Sequence, residues 1–117
     1  EILYRNDGLL KAFSFTVDII GTIWAYHWHR LTKVTETDTI IYSSTELAFL
    51  SDFVTEMGTD LNNNLWLSTE NGLIKFDGTN WQRIEMPISD KYLNDLVIDS
   101  ENKIWFGGKS IFGYYKE

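Results

Sequence analysis

The sequence predicts an all-β fold built from about three four-stranded antiparallel meanders that stack on one another. Three observations predict it: a tryptophan motif repeats at an interval near 40 residues, turn-forming dipeptides separate short apolar runs, and no long segment has helical periodicity. The 117 residues are 44% hydrophobic and 15% aromatic. This composition is typical of a folded chain and not of a disordered one.

The repeat consists of an aspartate followed six residues later by a tryptophan. The second copy begins 42 residues after the first, and the third begins 39 residues after the second. A period near 40 with short apolar runs is typical of repeated blades or helical pairs. The three pairs are Asp18 with Trp24, Asp60 with Trp66, and Asp99 with Trp105.

The second unit shows which element follows which. An apolar run at 65–69 is followed by Asn71-Gly72, a second run at 73–76, then Asp77-Gly78 and a third run at 81–84. Asn-Gly and Asp-Gly between apolar runs indicate hairpins with type I′ turns, in which both central residues have positive φ. With a first strand before the Asn-rich turn at 60–64, the unit is predicted to be a four-stranded meander.

The first unit indicates how the meanders pack. Alternation from residue 23 places Trp24, Tyr26 and Trp28 on one face of a strand, and the other face also carries apolar residues. Strands with two apolar faces suit sheets that are covered on both sides. Radial stacking of such sheets gives a β-propeller, which also protects the strand edges.

Blade boundaries follow from the repeat at about 12–51, 52–90 and 91–117, with 1–11 supplying outer strands of another blade. Residues 2–6 resemble a third strand, 9–13 would be a fourth, and the last unit stops after its third strand. Three blades leave two apolar faces bare. Either two copies pair into a six-bladed ring, in which each N-terminal strand completes the partner's last blade, or the chain is a piece of a longer array.

The segment from Asp60 to Gly78 resembles the two-component regulator propeller repeat, with Ser68 where that family favours glycine. The third copy keeps the first half of the motif, and the first copy keeps its Asp, Ile and Trp. The resemblance implies a sensory or ligand-binding propeller, usually the periplasmic part of bacterial hybrid sensor kinases that respond to oligosaccharides. It implies a periplasmic or extracellular location for this chain.

Residues that repeat are expected to hold the blades, and residues that differ between repeats are better candidates for function. The repeated Trp would fill the space between blades and the repeated Asp would cap turn N–H groups. The first unit has Trp28, His29 and Arg30 where the second has Glu70 and Asn71 with Gly72. A flat indole and a bidentate guanidinium suit ligand contact. We therefore predict a ligand site at these corners, next to the loops around Asp52, Asp90 and Lys91.

Other kinds of chemistry have little support. His27 and His29, at i and i+2, are weak metal candidates because no third ligand is near in sequence. The chain has no cysteine and no catalytic or phosphate-loop motif, so we predict neither an enzyme nor a cofactor. A formal charge of −7 argues against nucleic acid. No apolar run is long enough to span a bilayer.

The sequence thus predicts a non-catalytic propeller module for ligand sensing or binding, with a small molecule or glycan as ligand. Its macromolecular partner would be a second copy or the rest of a longer propeller. One alternative is a structural platform that assembles with other proteins through its blades. A further alternative, a carbohydrate-active enzyme, would need two close carboxylates in the central channel.

Overall fold

The computed structural model describes residues 13–117, and these residues form eleven strands in three antiparallel sheets. The first sheet consists of β1 (Ser14–Val17), β2 (Ile23–His27), β3 (Arg30–Val34) and β4 (Thr39–Tyr42). The second consists of β5 (Val54–Thr59), β6 (Leu65–Thr69), β7 (Gly72–Phe76) and β8 (Trp81–Arg83). The third consists of β9 (Asp95–Ile98), β10 (Ile104–Gly107) and β11 (Phe112–Tyr115). Within each sheet the strands pair in chain order, so the predicted all-β fold of propeller-type meanders is confirmed.

Helix is confined to one 3₁₀ turn, Ala48–Ser51, within the part of the chain that the structure describes. It lies in the connector between β4 and β5 and buries Leu50. Across residues 13–117, no helix has the length and the apolar character needed to cross a membrane.

The sheets stack face to face and enclose two apolar cores. In the first core, Trp24 and Tyr26 of the first sheet pack with Leu65 and Leu67 of the second. In the second core, Trp66 packs with Ile104 and other residues of the third sheet. The tryptophan faces of the first and second sheets are therefore each covered by the next sheet along the chain, as a radial stack requires.

The innermost strands of neighbouring sheets adjoin. Ser14 Oγ on β1 donates a hydrogen bond to Glu56 Oε1 on β5, at 3.0 Å. A Cβ built on Gly58 of β5 would lie 3.2 Å from Ile98 Cδ1 of β9. The three first strands thus lie side by side, and the sheets fan outward from them.

The spacing of the repeat has a direct structural cause. Asp60 Oδ1 accepts from the backbone N–H groups of Asn62 and Asn64, both at 2.9 Å, as expected for a turn cap. Its Oδ2 accepts from the indole Nε1 of Trp66, at 2.8 Å. The carboxylate therefore joins the turn to the core tryptophan, a bond that the sequence pattern alone did not predict.

The third unit repeats this arrangement in a more exposed setting. Asp99 Oδ1 accepts from Glu101 N and Lys103 N, and its Oδ2 accepts from Trp105 Nε1 at 2.8 Å. The indole donor, followed by the N–H of Lys103, lowers the pKa of the Asp99 carboxyl. Trp105 lies on the face that points away from the second sheet and is only half-buried, whereas Trp66 is 1% exposed.

Neighbouring turns are joined by asparagine side chains in left-handed backbone. Asn63 (φ 63°) accepts from Ile19 N, at 3.1 Å, and Asn102 (φ 64°) accepts from Leu61 N, at 2.7 Å. In the first unit, Asp18 Oδ2 accepts from Asn63 Nδ2, at 3.4 Å. At both sheet interfaces, an asparagine side chain thus joins one turn to the next by a hydrogen bond.

The predicted hairpins at Asn71-Gly72 and Asp77-Gly78 form, but their predicted type I′ geometry is wrong. Only the glycines have positive φ, +99° and +100°. Thr69 pairs with Gly72, which makes Glu70 and Asn71 the central residues of that turn. The second loop is longer because the Asp77 carboxylate accepts the N–H groups two and three residues ahead.

Two predictions near the first sheet are also wrong. His27 pairs with Arg30, so Trp28 and His29 lie in a turn and not on a face of β2. Phe13 N donates to Tyr26 O at 2.8 Å and continues the ladder of β1 with β2, so it does not end a fourth strand. The prediction that 1–11 supply outer strands of another blade falls outside the described residues.

Candidate functional site

The turn between β2 and β3 is the most unusual backbone feature of the first sheet. Its two residues, Trp28 and His29, have φ values of +43° and +60°. Two-residue hairpins prefer this left-handed geometry, but they normally place Asn, Asp or Gly there. A bulky side chain in left-handed backbone costs about 1–2 kcal/mol, and such strain persists only where the surroundings support it.

Two hydrogen bonds hold this turn against the rest of the protein. His29 Nδ1 donates to the carbonyl of Leu50, at 2.7 Å, and His29 N donates to the hydroxyl oxygen of the buried Tyr26, at 3.1 Å. With Nδ1 as donor, Nε2 of the neutral ring is an acceptor. The turn is therefore clamped to the connector that leads into the second sheet.

The Trp28 ring belongs to an aromatic group at the inner end of the first sheet. Its centroid lies 5.3 Å from that of Phe13 and 6.3 Å from that of Phe53, with interplanar angles of 75° and 74°. Phe13 also packs on His27, at 4.6 Å. Trp28 remains 60% exposed. We call Phe13, His27, Trp28 and Phe53 the aromatic platform.

Polar groups of the second sheet lie beside this platform, and Phe53 joins the two. Glu70 Oε1 accepts from Phe53 N at 2.6 Å, and Glu70 N donates to Phe53 O at 3.1 Å. Arg83 donates to the carbonyl of Asn71, at 2.5 Å, and forms an ion pair with Asp52, at 3.1 Å. We call Asp52, Glu70, Asn71 and Arg83 the polar corner.

The loop before the third sheet continues this surface. Lys91 Cβ lies 4.0 Å from the position that a Cβ on Gly72 would occupy. The Ser110 hydroxyl, the N–H of Tyr92 and the charge of Lys109 lower the pKa of the Asp90 carboxyl. Charged groups from the turns and connectors of neighbouring sheets thus lie at the same end of the three stacked sheets.

The structure brings four of the five predicted ligand residues into one neighbourhood. Trp28 contacts Phe53, whose backbone N–H is hydrogen-bonded to Glu70, the neighbour of Asn71. His29 lies beside Trp28 in the turn and is hydrogen-bonded to Leu50. Arg30 is different: it is the exposed first residue of β3 and pairs with His27 through the backbone, but within the described residues no hydrogen bond or ion pair of its side chain reaches the platform.

Arg83 belongs to the polar corner, although the sequence did not indicate it as a site residue. It lies on an outer strand and reaches the turn that precedes β7 only because β7 and β8 pair. No local signal in the sequence marks it.

The metal hypothesis loses its geometric basis. His27 ends β2 and packs on Phe13, while His29 lies in the turn with its Nδ1 committed to Leu50, so the two rings do not project from one strand. Among residues 13–117 there is no group of three or more His, Cys, Asp or Glu side chains that could hold a metal ion.

No family model matches the sequence, and no curated protein matches it. Solved structures do match its fold. The extracellular domain of the hybrid two-component system BT4673 from B. thetaiotaomicron superposes with a TM-score of 0.68 and 20% identity, over 97% of this chain and 16% of that one. The corresponding domain of BT3049 gives 0.68 and 16% identity, over 90% and 16% of the two chains.

A second class of protein has the same fold. Virginiamycin B lyase from Staphylococcus aureus superposes with a TM-score of 0.66 and 15% identity, over 80% of this chain and 33% of that one. The chain spans a third or less of each of these structures. The resemblance to the two-component regulator propeller repeat is thus confirmed at the level of the fold: this chain is built from blades of the propeller type found in the extracellular domains of two-component systems.

Proposed function

We propose that this chain is a non-catalytic ligand-binding module whose contact surface is the aromatic platform with the adjoining polar corner. The observation that carries the proposal is the exposure of Trp28 on strained backbone. A large indole in left-handed backbone, 60% exposed, does not improve the stability of a hairpin turn. Strain of this kind is typical of sites where it serves function.

The chemistry of the surface favours a neutral oligosaccharide. The indole offers a flat apolar surface against which the C–H face of a sugar ring can pack. Glu70 and Asp52 supply carboxylate oxygens that accept from hydroxyl groups, and Arg83 supplies N–H donors. The net charge of −7 disfavours anionic ligands.

The comparisons support a sensor module of a periplasmic or extracellular protein. The similar domains of BT4673 and BT3049 are extracellular parts of two-component systems. The lyase shares the fold as well, and one fold hosts many activities. We therefore base the function on the platform and not on the fold.

A thermal-shift screen against neutral oligosaccharides tests the proposal. A ligand at 100 times its Kd stabilises the folded state by about 2.7 kcal/mol, which raises Tm by several degrees. The informative variant is Trp28→Asn, because asparagine tolerates left-handed backbone. We expect this variant to lose the ligand-induced shift while its own Tm stays the same or rises.

The matched control is Leu61→Ala. Leu61 is 65% exposed, similar to Trp28, but lies in the turn between β5 and β6, at the opposite end of the sheets. It should keep the full ligand-induced shift. If Trp28→Asn unfolds the protein, or if it binds as tightly as the wild type, then Trp28 does not form the ligand surface.

A further inference from the structure

His29 is an exposed residue that is anchored on two buried groups. Its backbone N–H donates to the hydroxyl oxygen of Tyr26, at 3.1 Å, and its ring Nδ1 lies 2.7 Å from the carbonyl oxygen of Leu50. Tyr26 and Leu50 are both 0% exposed. Two hydrogen bonds to buried partners therefore fix the orientation of the imidazole ring.

The contact with Leu50 assigns the protonation of this ring. A carbonyl oxygen only accepts hydrogen bonds, so Nδ1 carries the hydrogen, and the neutral ring has no hydrogen left for Nε2. Nε2 is therefore an acceptor, and it lies on the side of the ring away from Leu50. Within residues 13–117 Nε2 has no hydrogen-bond partner, and His29 is exposed.

His29 and the neighbouring Trp28 are supported by the same short segment of the chain. Leu50 accepts the hydrogen bond from His29, and Phe53, three residues later, contacts the Trp28 ring at 6.3 Å. The exposed indole and the exposed imidazole are therefore next to each other on one supported surface.

The turn by itself does not explain why residue 29 is a histidine. The φ of His29 is +60°, and asparagine adopts this left-handed conformation more readily. The side-chain amide of an asparagine has an N–H that could also donate to the Leu50 carbonyl. What histidine adds to these two properties is the second ring nitrogen, Nε2.

We propose that His29 determines which ligand the platform accepts, because its Nε2 accepts a hydrogen bond from a hydroxyl group of a ligand packed on Trp28. This inference rests on the proposed function. The lone pair of Nε2 attracts O–H and N–H groups and repels carboxylate and carbonyl oxygens, which have no hydrogen to donate. The site then selects neutral polyhydroxylated molecules over anions and over ligands that present only carbonyl groups.

Protonation of the ring reverses this preference. An imidazolium donates from both nitrogens, so the hydrogen bond to Leu50 is kept while Nε2 no longer accepts. A histidine changes its charge between about pH 5 and 8. Acid is therefore expected to weaken ligand binding without unfolding the turn.

Other ionisable groups lie on the elements packed around His29. They come from its own hairpin, from the connector after Leu50 and from the second sheet: Tyr26, His27, Arg30, Asp52, Glu70 and Arg83. Only His27 among them is an imidazole, so a variant of His27 separates its titration from that of His29.

Imidazole ¹⁵N spectra of the free protein test the protonation state without any ligand. The chain has two histidines, and His27→Phe leaves His29 as the single imidazole. We expect hydrogen on Nδ1 and none on Nε2 above neutral pH. A ring with its hydrogen on Nε2, or an equal mixture of the two forms, would overturn the proposal.

The role in ligand binding is tested with His29→Asn, which keeps a donor for Leu50 and tolerates left-handed backbone but lacks Nε2. The probes are maltohexaose, cellohexaose, laminarihexaose and mannohexaose, and calorimetry gives Kd for each one that raises the Tm of the wild type. We expect His29→Asn to keep its Tm and to raise Kd about three- to tenfold, as for one lost hydrogen bond.

The pH dependence of binding gives a second, independent readout. From pH 7.5 to pH 5.5, the Kd of the wild type should rise by a similar factor, whereas that of His29→Asn should stay constant. His27→Phe should keep the wild-type dependence on pH, whatever its affinity.

The outcomes distinguish this proposal from the proposed function. If no probe raises the Tm of the wild type, the proposed function and the ligand role of His29 both fail. If Trp28→Asn abolishes binding but His29→Asn binds as tightly as the wild type, the platform stands and the role of His29 fails. A wild-type Kd that is the same at both pH values excludes that role even where His29→Asn does not fold.

Discussion

The bond between the Asp60 carboxylate and the Trp66 indole is expected to be among the strongest single contributions to stability in this chain. Asp60 is 4% exposed and accepts four hydrogen bonds: Asn62 N, Asn64 N and Asn64 Nδ2 at 2.9 Å, and Trp66 Nε1 at 2.8 Å. Asp60→Ala removes all four hydrogen bonds at once. The turn donors can regain water, but the indole of Trp66, 1% exposed, cannot.

The magnitude follows from this difference. A buried donor left without a partner costs about 1–3 kcal/mol, and each lost turn bond costs about 0.5–1 kcal/mol. With one such donor and three turn bonds, the free energy of unfolding should therefore fall by about 2.5–6 kcal/mol. For a domain of this size the corresponding drop in Tm is at least about 10 °C.

Urea unfolding followed by circular dichroism measures the effect, and Asp77→Ala is the matched control. Asp77 caps its turn through Thr79 N and Asn80 N, both backbone donors, but it is exposed and accepts from no indole. Asp77→Ala should lower the free energy of unfolding clearly less than Asp60→Ala does. A double-mutant cycle with Trp66→Phe should give a coupling energy above about 1 kcal/mol.

Two results would refute this reasoning. If Asp60→Ala and Asp77→Ala destabilise the protein equally, then the loss of the hydrogen bonds to the turn backbone accounts for the whole effect. If the cycle shows no coupling, then the indole bond adds nothing, and the spacing of Asp and Trp needs another explanation.

Two further predictions concern acid stability and packing. Hydrogen bonds from Ser43 lower the pKa of Glu46 to about 2; because the folded pKa lies below the unfolded value, this stabilisation is complete above about pH 5 and is lost as the pH falls toward 2. Glu46→Gln should therefore flatten the dependence of Tm on pH between 5 and 2, and an unchanged slope would contradict the assignment. Gly108→Ala would place a Cβ 2.1 Å from the carbonyl oxygen of Tyr92 and should destabilise the protein by about 1–3 kcal/mol; Gly78→Ala, with no atom within 4 Å, should cost only its left-handed strain, and equal losses would contradict the predicted clash.

The strand order was predictable because it depends on local chemistry. Alternating apolar runs and the Asp-Gly and Asn-Gly steps mark where strands end, whatever surrounds them. The type of each turn was not predictable, because side-chain bonds such as those of Asp77 lengthen one loop, and the strand register moves the centre of another to Glu70 and Asn71. The same applies to Trp28, which a strict alternation places on a strand face and the pairing of His27 with Arg30 places in a turn.

The candidate site was predictable in part. Comparing the repeats singled out Trp28 and Glu70, because they differ between units at equivalent corners. The comparison could not show that Phe53 joins them, nor that Arg83 reaches Asn71 from an outer strand. Arg83 reaches Asn71 only once β7 and β8 pair, and Phe53 joins Trp28 to Glu70 only once the second sheet packs against the first.

By itself, the sequence determined the repeat, the number of meanders and the residues that hold each sheet, because these follow from spacing and from the backbone preferences of short segments. Only the tertiary structure showed why Asp and Trp are six residues apart: in the second and third units, the Asp carboxylate accepts from the indole because the turn folds back on its own strand. The tertiary structure also placed an exposed Trp on strained backbone, because the pairing of His27 with Arg30 puts Trp28 in the turn. Which residues of two strands pair depends on how the whole strands fit together, which no local pattern encodes.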